Sequence, residues 1–384
     1  MSRLGAAGGC LSLAILLACG SDLPTRPTFA YVLGAGPGLS AYKVDAATGA
    51  WSLVGTILGD IGPVALDPHG RYLFAALGDP KVCSEGGSSC GMVTKVITYR
   101  IDPSTGALSE ASVKDGFFAN GAAIGVYASG RFLFVTDVDD GGTDVEEVDS
   151  TGALNSTRYG LGLVKASAVD PTGRFLYYGY PDYLPFLNHR PSDVDPPLQG
   201  WQADLTTGKL TDIGKLGAGT HVAIDPSGQH LYSSMPVAGQ VGEFAIDSGT
   251  GSLSAMGGAP SLATPGSLAV HPSGQLLYLA NAYDIVAYRL DTVTGAPSLI
   301  RVVASGVTDT RSGLRYNEPD SSAGELALDP AGRFLYVLRS ADVLGYSVNA
   351  TTGALTPISQ AEGFSPGTVA AQGGQWIRLV SPGQ

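Results

Sequence analysis

Short runs of alternating apolar and polar residues fill the chain from about residue 29 to its C-terminus, broken at close intervals by Gly, Pro, Asp and Thr. An alternation of period two marks a strand with one buried face, and a Pro-x-Gly or Thr-Gly break marks a turn. The stretch GELALDPAGRFLYVLRS, residues 324 to 340, shows the pattern in full. Its middle recurs as DPHGRYLF at Asp67, YASGRFLF at Tyr127, DPTGRFLY at Asp170, DPSGQHLY at Asp225, HPSGQLLY at His271 and DPAGRFLY at Asp329, with a degraded copy, AQGGQWIR, at Ala371. Between these lies a second turn: DAATGAW at Asp45, DPSTGAL at Asp102, DSTGAL at Asp149, DLTTGKL at Asp204, DSGTGSL at Asp247, DTVTGAP at Asp291 and NATTGAL at Asn349. Each element reads as a hairpin, and each is counted seven times.

Two hairpins make four strands, and copies of the first hairpin recur about every 52 residues, close to the length of a propeller blade. The prediction is an all-β chain: a seven-bladed β-propeller of four-stranded antiparallel blades over residues 29–384. Strands are lettered A to D from the axis outward, with the DPxG turn joining A to B and the TG turn joining C to D. The chain starts on a strand B, TFAYVLGA, and ends with a strand A, PGTVAA, so both ends are expected to complete one blade and leave no open edge. Residues 28–34 and 375–380 compete for the second position of that blade, and the pattern does not decide between them.

Both stereotyped turns fall on one face of such a ring. The opposite face receives the segments 78 to 92, 137 to 144, 179 to 200 and 305 to 324, which are long or irregular, and it is the expected functional face. Polar residues just ahead of a strand A or just after a strand B point to its mouth. Three stand out: His221 in GTHVAIDP, Glu325 in AGELALDP and Arg339 in YVLRSAD. They offer a base, a carboxylate and an anion-binding guanidinium. Solvated rim residues are the other reading. The acidic stretch DVDDGGTD lacks the spacing and terminal Glu of a calcium loop and reads as a solvated turn. His189 and Arg190 decorate a Pro-rich loop. No nucleophile elbow, zinc-binding helix motif or phosphate-binding Gly loop is present, so no cofactor and no metal are expected.

Composition adds a compartment. The 54 Gly and 24 Pro are spread along the chain, as many short strands and turns require. A short basic start leads into CLSLAILLA, a secretory h-region ending before Cys19. Residues 1–18 are read as a signal peptide and residues 19–28 as a Cys with a polar tether. LLAC resembles a bacterial lipobox, which implies lipidation of Cys19; an ordinary cleaved signal with a chance Cys is the alternative. Both readings predict export, and the lipobox reading places the protein at the cell envelope, periplasmic or at the cell surface, touching the membrane through a lipid anchor alone. Cys83 and Cys90, in CSEGGSSC, can close a small disulfide loop in an oxidising compartment. A net charge of −12 argues against nucleic acid and anionic membrane as partners. A monomer is expected.

The residues also resemble a known family. The P-x-G-R-F-L-Y-V core, repeated through the mature chain, is similar to that of the β-propeller lactonases, which include bacterial 6-phosphogluconolactonase and the fungal carboxy-muconate lactonizing enzyme. AGELALDPAGRFLYVLRSADVLGYSV resembles the family segment with a Glu before strand A and an Asn-Arg pair after strand B, which maps onto Glu325 and Arg339. GTHVAIDPSG resembles the Pro-Arg-His segment and maps its His onto His221. Departures accompany these matches: Thr220 stands at the Arg, Leu338 at the Asn, Ser233 to Met235 where an Asn-Glu is usual, and Pro63 near another His. The resemblance implies a lactone hydrolase with Glu325 or His221 as base and Arg339 as anion binder, acting on a small-molecule lactone or carbohydrate. The alternative is a non-catalytic cell-envelope module that binds a protein at its loop-rich face.

Overall fold

The computed structural model describes residues 26–33, 38–59, 61–83, 90–119, 125–128, 130–136, 143–156, 168–179, 195–263, 265–281, 284–305, 325–338, 343–358 and 376–382. They form seven four-stranded antiparallel sheets. In order from strand A to strand D, blade one holds Trp376–Val380, Thr28–Leu33, Leu39–Val44 and Trp51–Ile57. Blade two holds Ile61–Leu66, Tyr72–Cys83, Cys90–Ile101 and Leu108–Ala119, and blade three Gly125–Ala128, Phe132–Thr136, Thr143–Val148 and Leu154–Ser156. Blade four holds Ala168–Val169, Phe175–Tyr178, Leu198–Ala203 and Leu210–Leu216, and blade five Val222–Ile224, His230–Met235, Gln240–Ile246 and Leu253–Pro260. Blade six holds Pro265–Val270, Leu276–Asn281, Asp284–Leu290 and Pro297–Ser305, and blade seven Glu325–Leu328, Phe334–Leu338, Val343–Val348 and Leu355–Pro357. A strands of neighbouring blades touch, including those of blades four to seven and the closing strand of blade one, so they form the inner wall.

Each letter of the repeated hairpin has a physical task. The Asp is buried and closes its own turn: Asp170 and Asp329 accept the N–H of Phe175 and Phe334, both at 2.7 Å. The following Gly has positive φ, between 65° and 74° at Gly70, Gly173, Gly228, Gly274 and Gly332. The Arg lies over the ring after it, 5.0 Å for Arg174 over Phe175 and 5.5 Å for Arg333 over Phe334. Arg333 and Arg174 also reach the next blade's C-D turn, donating to Ala46 O at 2.8 Å and Ser248 O at 3.3 Å.

The ring after the Arg fills a space that the next blade leaves open. A Cβ on Gly106 would lie 2.3 Å from Phe29 Cδ1, on Gly251 2.3 Å from Phe175 Cδ1, and on Gly49 2.5 Å from Phe334 Cδ1. Gly152, Gly208 and Gly295 meet Tyr72, Phe132 and His230 in the same way, and Gly353 meets Leu276. Two residues further on, Tyr31, Tyr177, Tyr232 and Tyr336 each donate a phenolic O–H to the carbonyl of that glycine at 2.8 to 2.9 Å, and Tyr278 does so at 3.2 Å. Burial pushes the pKa of all five phenols up, so they remain donors. One blade thus reads its neighbour through a Gly with no side chain and a carbonyl in need of a donor.

The C-D turns close themselves. In six of them an Asp side chain accepts nearby N–H and hydroxyl groups, as Asp102 does from Ser104 Oγ at 2.6 Å and from the Thr105 N–H at 2.8 Å. These bonds hold the Asp102 carboxyl well below the usual range. His271 replaces the Asp of the inner turn. Its Nδ1 accepts the Ser273 N–H at 3.1 Å, which leaves Nε2 to donate to Gly332 O at 2.8 Å in the next blade.

The closing blade decides the question that the pattern left open and corrects two expectations. Residues 28–33 take the second position, pairing Phe29 with Val380 through Leu33 with Trp376. The first position belongs to Trp376–Val380 rather than to PGTVAA, which lies outside the described residues. AQGGQWIR is therefore no seventh A-B hairpin, because Trp376 to Arg378 lie within the inner strand itself. At the place of the seventh A-B turn the two chain ends meet, with Thr28 Oγ1 and Ser381 Oγ 3.0 Å apart. Blade two corrects a third: the segment 78 to 92 is largely ladder, since its strands continue to Cys83 and resume at Cys90 through register shifts at Gly78 and Cys83. The signal segment and Cys19 lie outside the described residues.

Adding a methyl at Gly251 demands both a positive φ of 71° from a non-Gly residue and displacement of Phe175. Gly239→Ala is the control, since Gly239 has φ 63° and nothing within 4 Å of a built Cβ. Urea unfolding should show Gly251→Ala less stable than Gly239→Ala by about 1–3 kcal/mol, the usual cost of overpacking. Equal losses would mean that the ring does not depend on this contact.

Candidate functional site

The inner strands run from the irregular face toward the Asp turns, so their first residues sit at the irregular mouth. Four residues ahead of the Asp or His of an inner turn stand His221, Ser267 and Glu325, on the consecutive blades five, six and seven. All three are partly buried. Ser267 Oγ accepts the Leu326 N–H at 3.0 Å, tying blade six to the residue after Glu325. The three positions therefore form one arc on touching inner strands.

His221 is the most defined member. Thr220 Oγ1 lies 3.2 Å from His221 Nδ1 and 3.4 Å from Ser234 O. A hydroxyl that donates to Ser234 O accepts from Nδ1–H, which leaves Nε2 with the available lone pair. The backbone around it is fixed by Ser234 N–H on His221 O at 2.9 Å and Thr220 N–H on Ser234 O at 2.8 Å. A Cβ on Gly179 would lie 1.9 Å from Thr220 O, so blade four packs closely against this segment. Burial lowers the His221 pKa to about 4, and the ring is neutral at pH 7.

Glu325 opens the inner strand of blade seven, opposite Leu338. Its carboxylate pairs with Arg378, on the closing strand of blade one. The Glu325 side chain is 25% exposed and that of Arg378 44% exposed. Arg339, expected as the anion binder, lies outside the described residues, as do His189, Arg190 and most of DVDDGGTD. Leu338, in place of the family's Asn, is 1% exposed and packs in the core between blades seven and one.

Ser267 and Arg378 were not singled out from sequence, though a signal pointed to the first. Counting back from His271 as from Asp225 and Asp329 finds Ser267. Arg378 was hidden because AQGGQWIR reads as an inner turn leading into a strand for the second position. Nearby, Asp195 accepts the N–H groups of Val237 at 2.8 Å and Ala238 at 3.0 Å, which pins the end of one long segment to the B-C turn of blade five. No cluster of His, Cys, Asp and Glu among the described residues is suited to a metal ion. No helix among them is long and apolar enough to cross a membrane.

Comparison with known proteins agrees with this architecture. Residues 204–308 match the model of the family "Lactonase, 7-bladed beta-propeller". A 6-phosphogluconolactonase of Formosa agariphila is 23% identical over 321 residues, 77% of this chain and 83% of that protein. Among solved structures, a candidate 6-phosphogluconolactonase of Bacteroides uniformis superposes with a TM-score of 0.64 at 14% identity, covering 92% of this chain and 99% of the other. The periplasmic gluconolactonase of Pseudomonas aeruginosa superposes with a TM-score of 0.62 at 18% identity, covering 91% and 99%. The seven-bladed ring and the match of residues 204–308, in blades four to six, make the chain similar to the lactonase-family β-propellers.

Proposed function

We propose that the protein hydrolyses a sugar lactone at the irregular mouth of the ring, with His221 as the general base. The observation that carries this reading is a neutral imidazole whose basic nitrogen is defined by its neighbours. Water attacks the lactone carbonyl carbon while its proton passes to His221 Nε2. The ring C–O bond then breaks, and the departing oxygen takes that proton from His221, giving the open hydroxy acid. Glu325 is the weaker base candidate, because its carboxylate is committed to the Arg378 guanidinium. Relatives bearing the names 6-phosphogluconolactonase and periplasmic gluconolactonase support a six-carbon sugar lactone as the substrate class.

A second reading, a non-catalytic binding propeller in the cell envelope, is favoured by Leu338 and Thr220, which remove an amide and a guanidinium that the family resemblance led us to expect. Hydrolysis assays separate the two. The wild type should open D-glucono-δ-lactone or its 6-phosphate well above the spontaneous rate. His221→Gln should lower kcat/KM by about 10²–10⁴.

The pH dependence has a defined sign. With the folded pKa at about 4 and the ordinary value at 6.5, the unfolded chain holds a proton on His221 between these values that the folded chain lacks. Stability from this group is therefore complete above pH 6.5 and is lost as pH falls toward 4. Denaturant melts should show a shallower loss in that window for His221→Gln than for the wild type, and the acid limb of kcat/KM should lie near pH 4. A limb near 6.5 would remove His221 from this role.

Export and lipidation at Cys19 are part of the same proposal, with LLAC as the motif. In a bacterial host, labelled palmitate should enter the wild type and not Cys19→Ser; equal labelling overturns the anchor. We also propose a Cys83–Cys90 disulfide, supported by the ladder that sets the two Cα atoms opposite one another. Intact-mass analysis of the exported protein should show a loss of two hydrogens, about 2 Da, reversed by reductant and absent from Cys83→Ser. Free thiols in protein recovered from an oxidising compartment would rule it out.

A further inference from the structure

Arg378 occupies an unusual place in the inner wall. In blades two, four, five, six and seven the inner-strand residue opposite the blade's Tyr or Phe is alanine: Ala65 with Phe74, Ala168 with Tyr177, Ala223 with Tyr232, Ala269 with Tyr278 and Ala327 with Tyr336. In the closing blade the residue opposite Tyr31 is Arg378. In blade three it is Tyr127, opposite Phe134, so a ring level that is alanine in five blades and tyrosine in one carries a single cation, in the closing blade. Its neighbour across the blade boundary is Glu325, which shares the arc with Ser267 and His221. A wall that needed only packing would be served by an uncharged residue here, as it is in the other six blades.

We propose that Arg378 is the anion-recognising residue of the mouth, binding the C1 oxygen of the lactone as it gains charge and the C1 carboxylate of the hydroxy-acid product, with Glu325 as its positioning residue. This rests on the lactonase reading and assigns the charge recognition within it. A guanidinium presents five N–H donors in a planar fork. The Glu325 carboxylate holds that fork from one side, while the Arg378 side chain as a whole stays 44% exposed. A carboxylate bound to an arginine that a second carboxylate orients gains geometric precision rather than extra charge. The assignment also ties the site to ring closure, because Arg378 reaches Glu325 only when Trp376–Val380 has paired with Thr28–Leu33.

The test uses sodium gluconate as the probe and isothermal calorimetry as a readout independent of turnover, on the full mature chain. Wild type should bind gluconate. Arg378→Ala should weaken binding at least tenfold and lower kcat/KM for D-glucono-δ-lactone by about 10²–10³, the cost of losing one oxyanion donor. Arg378→Lys should recover part of both, and because it keeps the charge and most of the stem it keeps the test valid if the alanine variant fails to fold. Glu325→Gln should weaken gluconate binding severalfold while leaving the acid limb of the pH profile in place, as a positioning residue requires and a general base forbids. Gluconate binding that is absent in the wild type, or unchanged in Arg378→Ala and Arg378→Lys, overturns the assignment. Loss of hydrolysis in His221→Gln with gluconate binding intact separates the fate of this inference from that of the base.

Discussion

The structure depends on a contact made at every blade boundary: a bulky side chain lodged where the next blade has a glycine. Positive φ and the missing Cβ are needed together, so the Gly of each C-D turn answers two demands at one atom. A tyrosine hydroxyl then satisfies that glycine's carbonyl at most boundaries, and an arginine, Arg100, Arg174, Arg289 or Arg333, donates to a carbonyl of the same turn at four described ones. Apolar burial supplies the cohesion, but it is non-directional. The hydrogen bond and the steric notch set how far one blade turns against the next, and a ring closes only if that angle is right.

From this constraint follows the division of labour along each hairpin. Residues that read the neighbouring blade sit near the stereotyped turns and are nearly uniform. Residues at the other end of the same inner strands are released from that duty. His221, Ser267 and Glu325 occupy equivalent positions, yet differ in chemistry, as expected where packing no longer dictates identity. The polar surroundings of His221 show the contrast. Thr220, Ser233 and Ser234 are buried hydrogen-bonding residues on a blade whose outer half follows the repeat closely.

Much of this was legible in the sequence, for a physical reason. Turn chemistry and alternation are local, so DPxG and TG give the strand count, the blade count and the faces without any knowledge of tertiary contacts. The misread places are those where a distant partner decides. AQGGQWIR has the letters of a turn, but the pairing of its last three residues with Thr28–Leu33, more than three hundred residues away in sequence, puts those three in an inner strand. That error also concealed Arg378, whose meaning depends on Glu325 in another blade. The segment 78 to 92 looked like a loop because of its Gly and Ser content, whereas ladder pairing carries through both of its ends. Glu325 and His221 were visible because each precedes a recognisable repeat.

The missing seventh inner turn has a consequence for orientation. Thr28 enters the ring beside Ser381, at the level where the other blades carry their Asp turns. Any segment ahead of Thr28 therefore leaves from the side opposite His221 and Glu325. A surface holding the chain by such a segment would meet the uniform side of the ring and turn the variable side toward the surrounding medium, so that tethering and access to solutes do not compete for the same face.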